Sequence, residues 1–361
     1  MDITAEIHKL LDRSIYLILP FALSLSAILL LEKIAPIVGM VDKPDARKFH
    51  LGDTPLMGGV AIFFSFAISV ATMTPNSDNL ILLSLAFALL LLGFIDDAVG
   101  MGSIVRLVIQ IGVAYLMVVA GDIQISHIGS IFGGENLTLP PGVSTVFTIV
   151  AVVGVLNAIN MLDGLDGLAS TILLQSFSAL ALLAVVSKFY HDAGVLLIMT
   201  SALFGFYMFN ARIFIPKAKI FMGDSGSMFL GFILSWFLIK LTQYNAEPVS
   251  AVAAGWIFGL PLLDTVVVIA NRLKRRQSAF AAGRDHLHHK LMDSVGLSVG
   301  KSVMFMGLVH LVFVLVGIIV SLYPGLEPIA FWLFIVMVFL HFMATPYFLD
   351  KAKDRNKVNF A

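Results

Sequence analysis

Apolar residues along this chain come in long unbroken runs, and the charged residues gather in the gaps between them. A bilayer core needs about 20 apolar residues for one helical crossing. Runs of that kind fall near 15–38, 56–74, 79–95, 104–121, 143–160, 168–186, 193–209, 226–244, 249–271, 302–322 and 327–348, which predicts eleven transmembrane helices. Only the turn-like Pro75-Asn76-Ser77-Asp78 separates the second run from the third. The longest breaks are 121–142 and 272–301. The first of these places Gly133-Gly134-Glu135-Asn136 between short alternating runs and predicts a small hairpin. Gly255 and Gly259, inside the ninth run, read as a helix-packing motif. The expected fold class is all-α, a polytopic membrane protein folded as one integral-membrane domain over residues 1–361.

Composition agrees with that class. Hydrophobic residues make up 59% of the chain and charged residues 13%, about half the charged fraction of an average soluble domain. Mean hydropathy is +0.96. The formal net charge is zero, so charge gives no argument for a nucleic-acid partner. There is no cysteine, which excludes disulfides, thiolate ligands and thiol nucleophiles. Asp2, Glu6, His8, Lys9, Asp12 and Arg13 precede an apolar run too long for a signal-peptide core, so an uncleaved first helix is expected.

Basic residues orient the spans, because cytoplasmic loops are enriched in Lys and Arg. With the amino terminus outside, the inner loops hold Lys43, Arg47, Lys48, Arg106, Arg212, Lys217, Lys219, Arg272, Lys274, Arg275, Arg276, Arg284, Lys290, Lys301, Lys351, Lys353, Arg355 and Lys357. Those are eighteen of the twenty-three; Lys9, Arg13, Lys188 and Lys240 lie outside and Lys33 lies within the first span. The carboxyl terminus is then cytoplasmic. So are the loops near 42–59, 96–106, 157–170, 210–227 and 272–292.

Those loops hold the chemistry. Six aspartates sit at or near span ends: Asp96 and Asp97 in GFIDDAVG, Asp163 and Asp166 in NAINMLDGLDGLA, Asp224 in IFMGDSGS, and Asp264 in GLPLLDT. A carboxylate at bilayer depth costs about 2.5–3.5 kcal/mol unless solvated or paired. Carboxylates and cations converging on one face point to a site that handles a metal and an anion. Each motif also has a plainer reading. Asp96 and Asp97 could cap a solvated helix end, Asp166 could cap the helix starting near 168, and Asp224 could cap the helix after it. Adjacent Asp96 and Asp97 also point about 100° apart on a helix, so one can bind while the other orients a loop. Gly223-Asp224-Ser225-Gly226 opens a helix, whose free N–H groups suit phosphate. His286-Leu287-His288-His289, before Lys290, lies in the most basic loop. Lys/Arg runs there are commonly topology signals or headgroup contacts, but three clustered histidines need another reason. Zinc is a weak reading without further ligands.

Together these motifs resemble the polyprenyl-phosphate N-acetylhexosamine-1-phosphate transferases. The likeness runs from about 42 to 292 through DKPDARKFH, TPLMGG, the Asp pair at 96–97, NAINMLDGLDG, FMGDSGS and HLHH, in the family order. SHIGSIFGG and GRDHLHHKLM resemble the branch that starts enterobacterial common antigen and O-antigen synthesis. One departure is Gly100, where some relatives have a third acidic residue after the Asp pair.

The resemblance implies transfer of GlcNAc-1-phosphate from UDP-GlcNAc to undecaprenyl phosphate, with Mg²⁺ as cofactor and Mn²⁺ as the alternative ion. It implies a multi-pass protein of the bacterial inner membrane with a cytoplasmic active site. It matches Asp224 to a metal ligand and Asn160 to a second. Asp163 supports the uridine pocket, which Gly164, Leu165 and Asp166 form and where Phe221 stacks on uracil. Asp96 and Asp97 match the pair near the acceptor phosphate, and Arg106 a cationic phosphate contact. His286, His288 and His289 match the loop that closes over the sugar diphosphate. Asp42, which opens DKPDARKFH, and Arg284, beside the histidines, complete the candidates. The partners implied are UDP-GlcNAc, the lipid phosphate and the membrane, without nucleic acid; a homodimer is compatible with the sequence. Two other readings stay open: the sister transferase of phospho-MurNAc-pentapeptide, and an ion-coupled transporter. Against the transporter, the polar residues gather at one face and no inverted halves are evident.

Overall fold

A computed structural model describes residues 3–42, 53–244, 247–278 and 283–359. Of DKPDARKFH only Asp42 falls within the described residues, and positions 43–50 lie outside them. The helices are α1 (Ile3–Ile34), α2 (Gly58–Met73), α3 (Ser77–Val99), α4 (Ser103–Gly121), α5 (Pro141–Leu162), α6 (Leu168–Val186) and α7 (Tyr190–Asn210). There follow α8 (Gly223–Lys240), α9 (Ala251–Ile257), α10 (Gly259–Lys274), α11 (Leu287–Lys290), which runs on as a π-turn to Val295, α12 (Val299–Leu322) and α13 (Glu327–Asn359).

Among the described residues, eight helical stretches are long and apolar enough to cross a membrane, and nine if α9 and α10 count as one span. α2, with 16 residues, is shorter. α8 falls outside the set because it opens on Gly-Asp-Ser-Gly-Ser and closes on Lys240. The ninth apolar run, expected as one span, is instead two helices bent by 82°. Phe258 closes one and opens the other. Pro261 sits in the first turn of α10, where its missing N–H costs no helical bond. The Ser176 hydroxyl donates to the freed Ile257 carbonyl at 2.8 Å. Of the expected packing glycines, only Gly259 is pressed: a Cβ there would lie 2.2 Å from Phe313, while Gly255 has open space.

Helix α8 is the hub. Residues 225–239 are buried throughout, against α3, α5 and α2. At about 1.5 Å per residue its 18 residues reach about 27 Å, close to the hydrocarbon thickness. Glycines let its first turn sit backbone-to-backbone on its neighbours. A Cβ at Gly59 would meet Gly226 N at 2.3 Å, and one at Gly93 would meet the Asp224 carbonyl at 2.4 Å. At the other end Lys240 donates to Asp192 at 2.9 Å, and the Tyr244 hydroxyl donates to Asp192 at 3.0 Å.

Two short pieces of extended chain complete the frame. β1 (Val41–Asp42) pairs antiparallel with β2 (Thr54–Pro55) in the register Val41–Pro55 and Asp42–Thr54. Phe221 N–H donates to Pro55 O, and Gly58 N–H donates back to Phe221 O. The loop before α2 is thereby stitched to the chain entering α8. The break at 121–142 folds back on itself through a bridge between His127 and Thr138, as the alternating runs predicted.

Candidate active site

A cavity of about 550 Å³ opens at the amino-terminal end of α8. Its walls are Asp42, Leu56, Asp96, Asp97, Gly100, Arg106, Asn160, Asp163, Gly164, Leu165, Asp166, Asn210, Arg212, Phe221, Gly223, Asp224, His289 and Val299. The ends of α3, α4, α5, α7, α8 and α12, the short α11 and the loops between them supply these residues. Segments as far apart in sequence as Asp42 and Val299 therefore meet in one place.

Asp224 lies in the first turn of α8. Its Oδ2 accepts from Arg106 Nη1 at 3.2 Å, and its Oδ1 accepts from Asn160 Nδ2 at 2.6 Å. The same Arg106 nitrogen reaches Asp96 Oδ2 at 2.6 Å, so one guanidinium bridges two carboxylates. Asp96 Oδ1 also accepts from Met101 N–H at 2.6 Å, which folds the end of α3 onto the turn before α4. Asp97 faces the other way. Its two oxygens accept the N–H groups of Asp224 (2.8 Å) and Ser225 (3.1 Å), capping α8. Gly223 makes this approach feasible: its φ is +72°, and a Cβ there would lie 2.6 Å from Asp97 Oδ2. The Asp pair thus points two ways, one carboxylate to a cation and one to a helix terminus.

The LDGLDG turn forms the opposite wall. Asp166 Oδ2 accepts from Arg212 Nε at 2.8 Å and from Ala218 N–H at 3.3 Å, which holds the chain between α7 and α8. Asp163 accepts no hydrogen bond from the described residues. Burial, and then the charges of Asp224, Asp97 and Asp166, push it well above the usual carboxylate range. Leu165 is buried, and Gly164 lies under the His288 ring.

The histidine turn divides its members. His289 reaches the cavity wall. His288 is buried at 1% exposure, its ring 4.1 Å from that of His289. His286 is away from the cavity, with Nδ1 2.9 Å from Asp264 Oδ2. Burial lowers His288 to about 3 and His289 to about 4. Arg284 also lies off the cavity wall, paired with Asp293 at 2.9 and 3.1 Å. Of the three histidines and Arg284 expected at the substrate, only His289 lines the cavity: Asp264 holds His286, His288 packs over Gly164, and Arg284 pairs with Asp293.

Reading the sequence missed Arg212, Asn210 and Ser227. Asn210 accepts from Gly167 N–H at 2.9 Å and donates to Ile220 O at 3.0 Å, tying both walls. Ser227 stands 2.9 Å from Asn160 Nδ2. The one available signal was Asn-Ala-Arg at the end of an apolar run, facing the inner basic loop.

Comparison with known proteins places the chain in a family. Residues 79–242 match glycosyl transferase family 4. An undecaprenyl-phosphate alpha-N-acetylglucosaminyl 1-phosphate transferase from Escherichia coli K12 is 32% identical over 327 residues, 89% of this chain and 86% of that protein. Proteins of the same description are 35% identical in Haemophilus influenzae (87% of this chain, 88% of theirs) and 30% in Yersinia pestis (95% and 93%). The chain belongs to glycosyl transferase family 4. It is an enzyme of the sugar-phosphate transfer class and a multi-pass membrane protein, which sets the transporter reading aside. The carboxylates of the cavity in this family 4 transferase outnumber its cations. Asp42, Asp96, Asp97, Asp163, Asp166 and Asp224 face Arg106 and Arg212. Such a balance repels phosphates until a further cation is added.

Proposed function

We propose that this enzyme transfers GlcNAc-1-phosphate from UDP-GlcNAc to undecaprenyl phosphate, giving undecaprenyl-diphosphate-GlcNAc and UMP. The observation that supports it most is the Asp224 carboxylate, shared by Arg106 and Asn160 and faced by an unpartnered Asp163. A dication at Asp224 would offset the neighbouring carboxylate charges that, after burial, raise Asp163. Among the described residues no three His, Asp or Glu side chains form a ready metal group. Mg²⁺ does not need one, since it keeps several waters and takes one or two protein oxygens. Asp224 and, with its amide turned to present Oδ1, Asn160 fit that role; Mn²⁺ would fit the same oxygens. When bound, the ion would neutralise the donor diphosphate.

The protein's own groups do the rest. In this reading Phe221 and the 164–166 turn hold the nucleotide, and Arg106 offers charge to the phosphates. His289 lies beside the sugar diphosphate as a neutral ring. The lipid phosphate oxygen attacks the β-phosphorus, and the bond from that phosphorus to the bridging oxygen breaks, releasing UMP. Eleven crossings, with the amino terminus outside and this cavity on the cytoplasmic side of the bacterial inner membrane, fit the Lys/Arg distribution. Lys240 at the far end of α8 fits the opposite interface. The whole chain acts as one catalytic domain in this scheme.

Purified protein in detergent should release UMP from UDP-GlcNAc only with the lipid phosphate and a divalent cation. D224N should abolish release while the protein still purifies as folded. Equal rates with UDP-MurNAc-pentapeptide would move the chain to the sister branch, and near-normal turnover of D224N would overturn the metal assignment.

A further inference from the structure

Asp264 is the one aspartate of the six that the cavity does not use. It lies in the second turn of α10, 3% exposed. Burying a carboxylate this far is costly without close hydrogen bonds. Asp264 has two: Oδ2 is 2.9 Å from His286 Nδ1, and Oδ1 accepts from Leu287 N–H at 3.0 Å. A carboxylate only accepts, so His286 must donate from Nδ1, which fixes its tautomer and ring plane.

A second anchor sits on the same face of α10. Arg272 follows Asp264 by eight residues, about two turns. Its guanidinium holds Asp285 through two bonds, at 3.0 and 2.6 Å. Asp285 and His286 are neighbours, so the chain entering the histidine turn is clamped to α10 twice. Beyond the clamp, His288 lies over Gly164 and His289 enters the cavity wall. Neither Asp264 nor His286 lines the cavity.

We infer that Asp264 is a positioning residue: through His286 and Leu287 it seats the histidine turn so that His289 meets the substrate. The inference rests on the proposed reading of His289 as a substrate contact. Partners that orient metal-bound histidines contribute about 10- to 100-fold, and the same scale is expected where the histidine seats a substrate-facing turn.

The test is a double-mutant cycle on turnover by the full-length enzyme, with D264A, H289A and the pair. D264A and H289A should each lower kcat by about 10- to 100-fold, and the double variant should fall no further than the worse single. Losses that multiply, or wild-type kcat in D264A, would overturn the inference alone. Wild-type kcat in H289A would overturn the reading of His289 and the inference with it. D264N serves if D264A does not assemble. Its amide keeps an acceptor for Leu287 N–H but must donate to His286, forcing the other tautomer. Ring-nitrogen NMR should show that inversion together with reduced kcat. An inverted tautomer with wild-type kcat, or an unchanged tautomer, would also overturn the inference.

Discussion

Replacing Gly164 by Ala tests the seating of the histidine turn from the opposite wall. A Cβ at this position would stand 2.7 Å from His288 Nε2, where ordinary contact begins at 3.4 Å. The backbone of Gly164 has no positive φ, so Ala is conformationally acceptable and the perturbation is steric. His288 has little room to yield: it is 1% exposed, and its ring lies between those of His286 (5.9 Å) and His289 (4.1 Å). Overpacking of a filled site costs about 1–3 kcal/mol. If the displacement is felt at His289, a tenfold rate loss per 1.36 kcal/mol gives about 5- to 150-fold in kcat/KM. Gly154→Ala is the control, since nothing lies within 4 Å of a Cβ there and the exchange in a helix favours folding by about 0.5–1 kcal/mol. UMP release against donor concentration, with thermal unfolding in the same detergent, reads both variants. Wild-type kcat/KM and midpoint for G164A would refute the packing of His288 on this turn.

Asp97→Asn leaves one acceptor where Asp224 and Ser225 N–H groups need two. Hydrogen bonds to charged groups are worth about 1.5–3 kcal/mol each. Both the unfolding midpoint and turnover should fall, and lost turnover at a wild-type midpoint would point instead to a chemical role. Burial, followed by the Arg284 charge, lowers His289 to about 4, and burial, followed by His289, lowers His288 to about 3. The unfolded chain, near the ordinary 6.5, takes up protons first as pH falls. The stability from these rings is complete above about 6.5 and lost as pH falls through about 4 and then 3. Thermal unfolding from pH 7 to 4 should show that loss, reduced in H289Q; a flat midpoint would refute it. A reporter active only outside the inner membrane, fused after Ala361, should be silent, and strong activity would reverse the topology.

The helices were legible because long apolar runs need no partner to be recognised, and each run does contain helix. The break at Phe258 was not. Pro261 within a first turn is compatible with a straight helix, and what stabilises the bend, the Ser176 hydroxyl on Ile257 O, comes from another helix. The cavity aspartates were visible as charges in an apolar setting, but what each touches was not. Asp97 looks like a twin of Asp96 in sequence, yet one faces Arg106 and the other two amides of α8. That split depends on Gly223 and Gly93 letting α8 approach, a long-range fact. Arg212 pairs with Asp166 across 46 positions, and Asp264 with His286 across 22, where local spacing gives no signal.

The same geometry favours one chemical step over two. A covalent route would make Asp96 or Asp97 attack the donor, release UMP, and pass the phosphosugar to the lipid. An attacking carboxylate needs an oxygen that can turn to the phosphorus, and each hydrogen bond it already accepts holds that oxygen in place and weakens it as a nucleophile. Both oxygens of Asp97 hold backbone N–H groups at 2.8 and 3.1 Å, and giving them up would uncap the helix that presents Asp224. Both oxygens of Asp96 are also engaged, by Met101 N–H and Arg106 at 2.6 Å each. The acceptor needs no such help. The second pKa of a phosphate monoester is about 6, so the lipid phosphate is already mostly a dianion at pH 7. Arg106, bridging Asp96 and Asp224, is placed to guide that dianion to the donor. Direct displacement predicts no exchange of labelled UMP into UDP-GlcNAc by enzyme stripped of lipid. Robust exchange under those conditions would establish a covalent intermediate, and its loss in D96N or D97N would identify the attacking carboxylate.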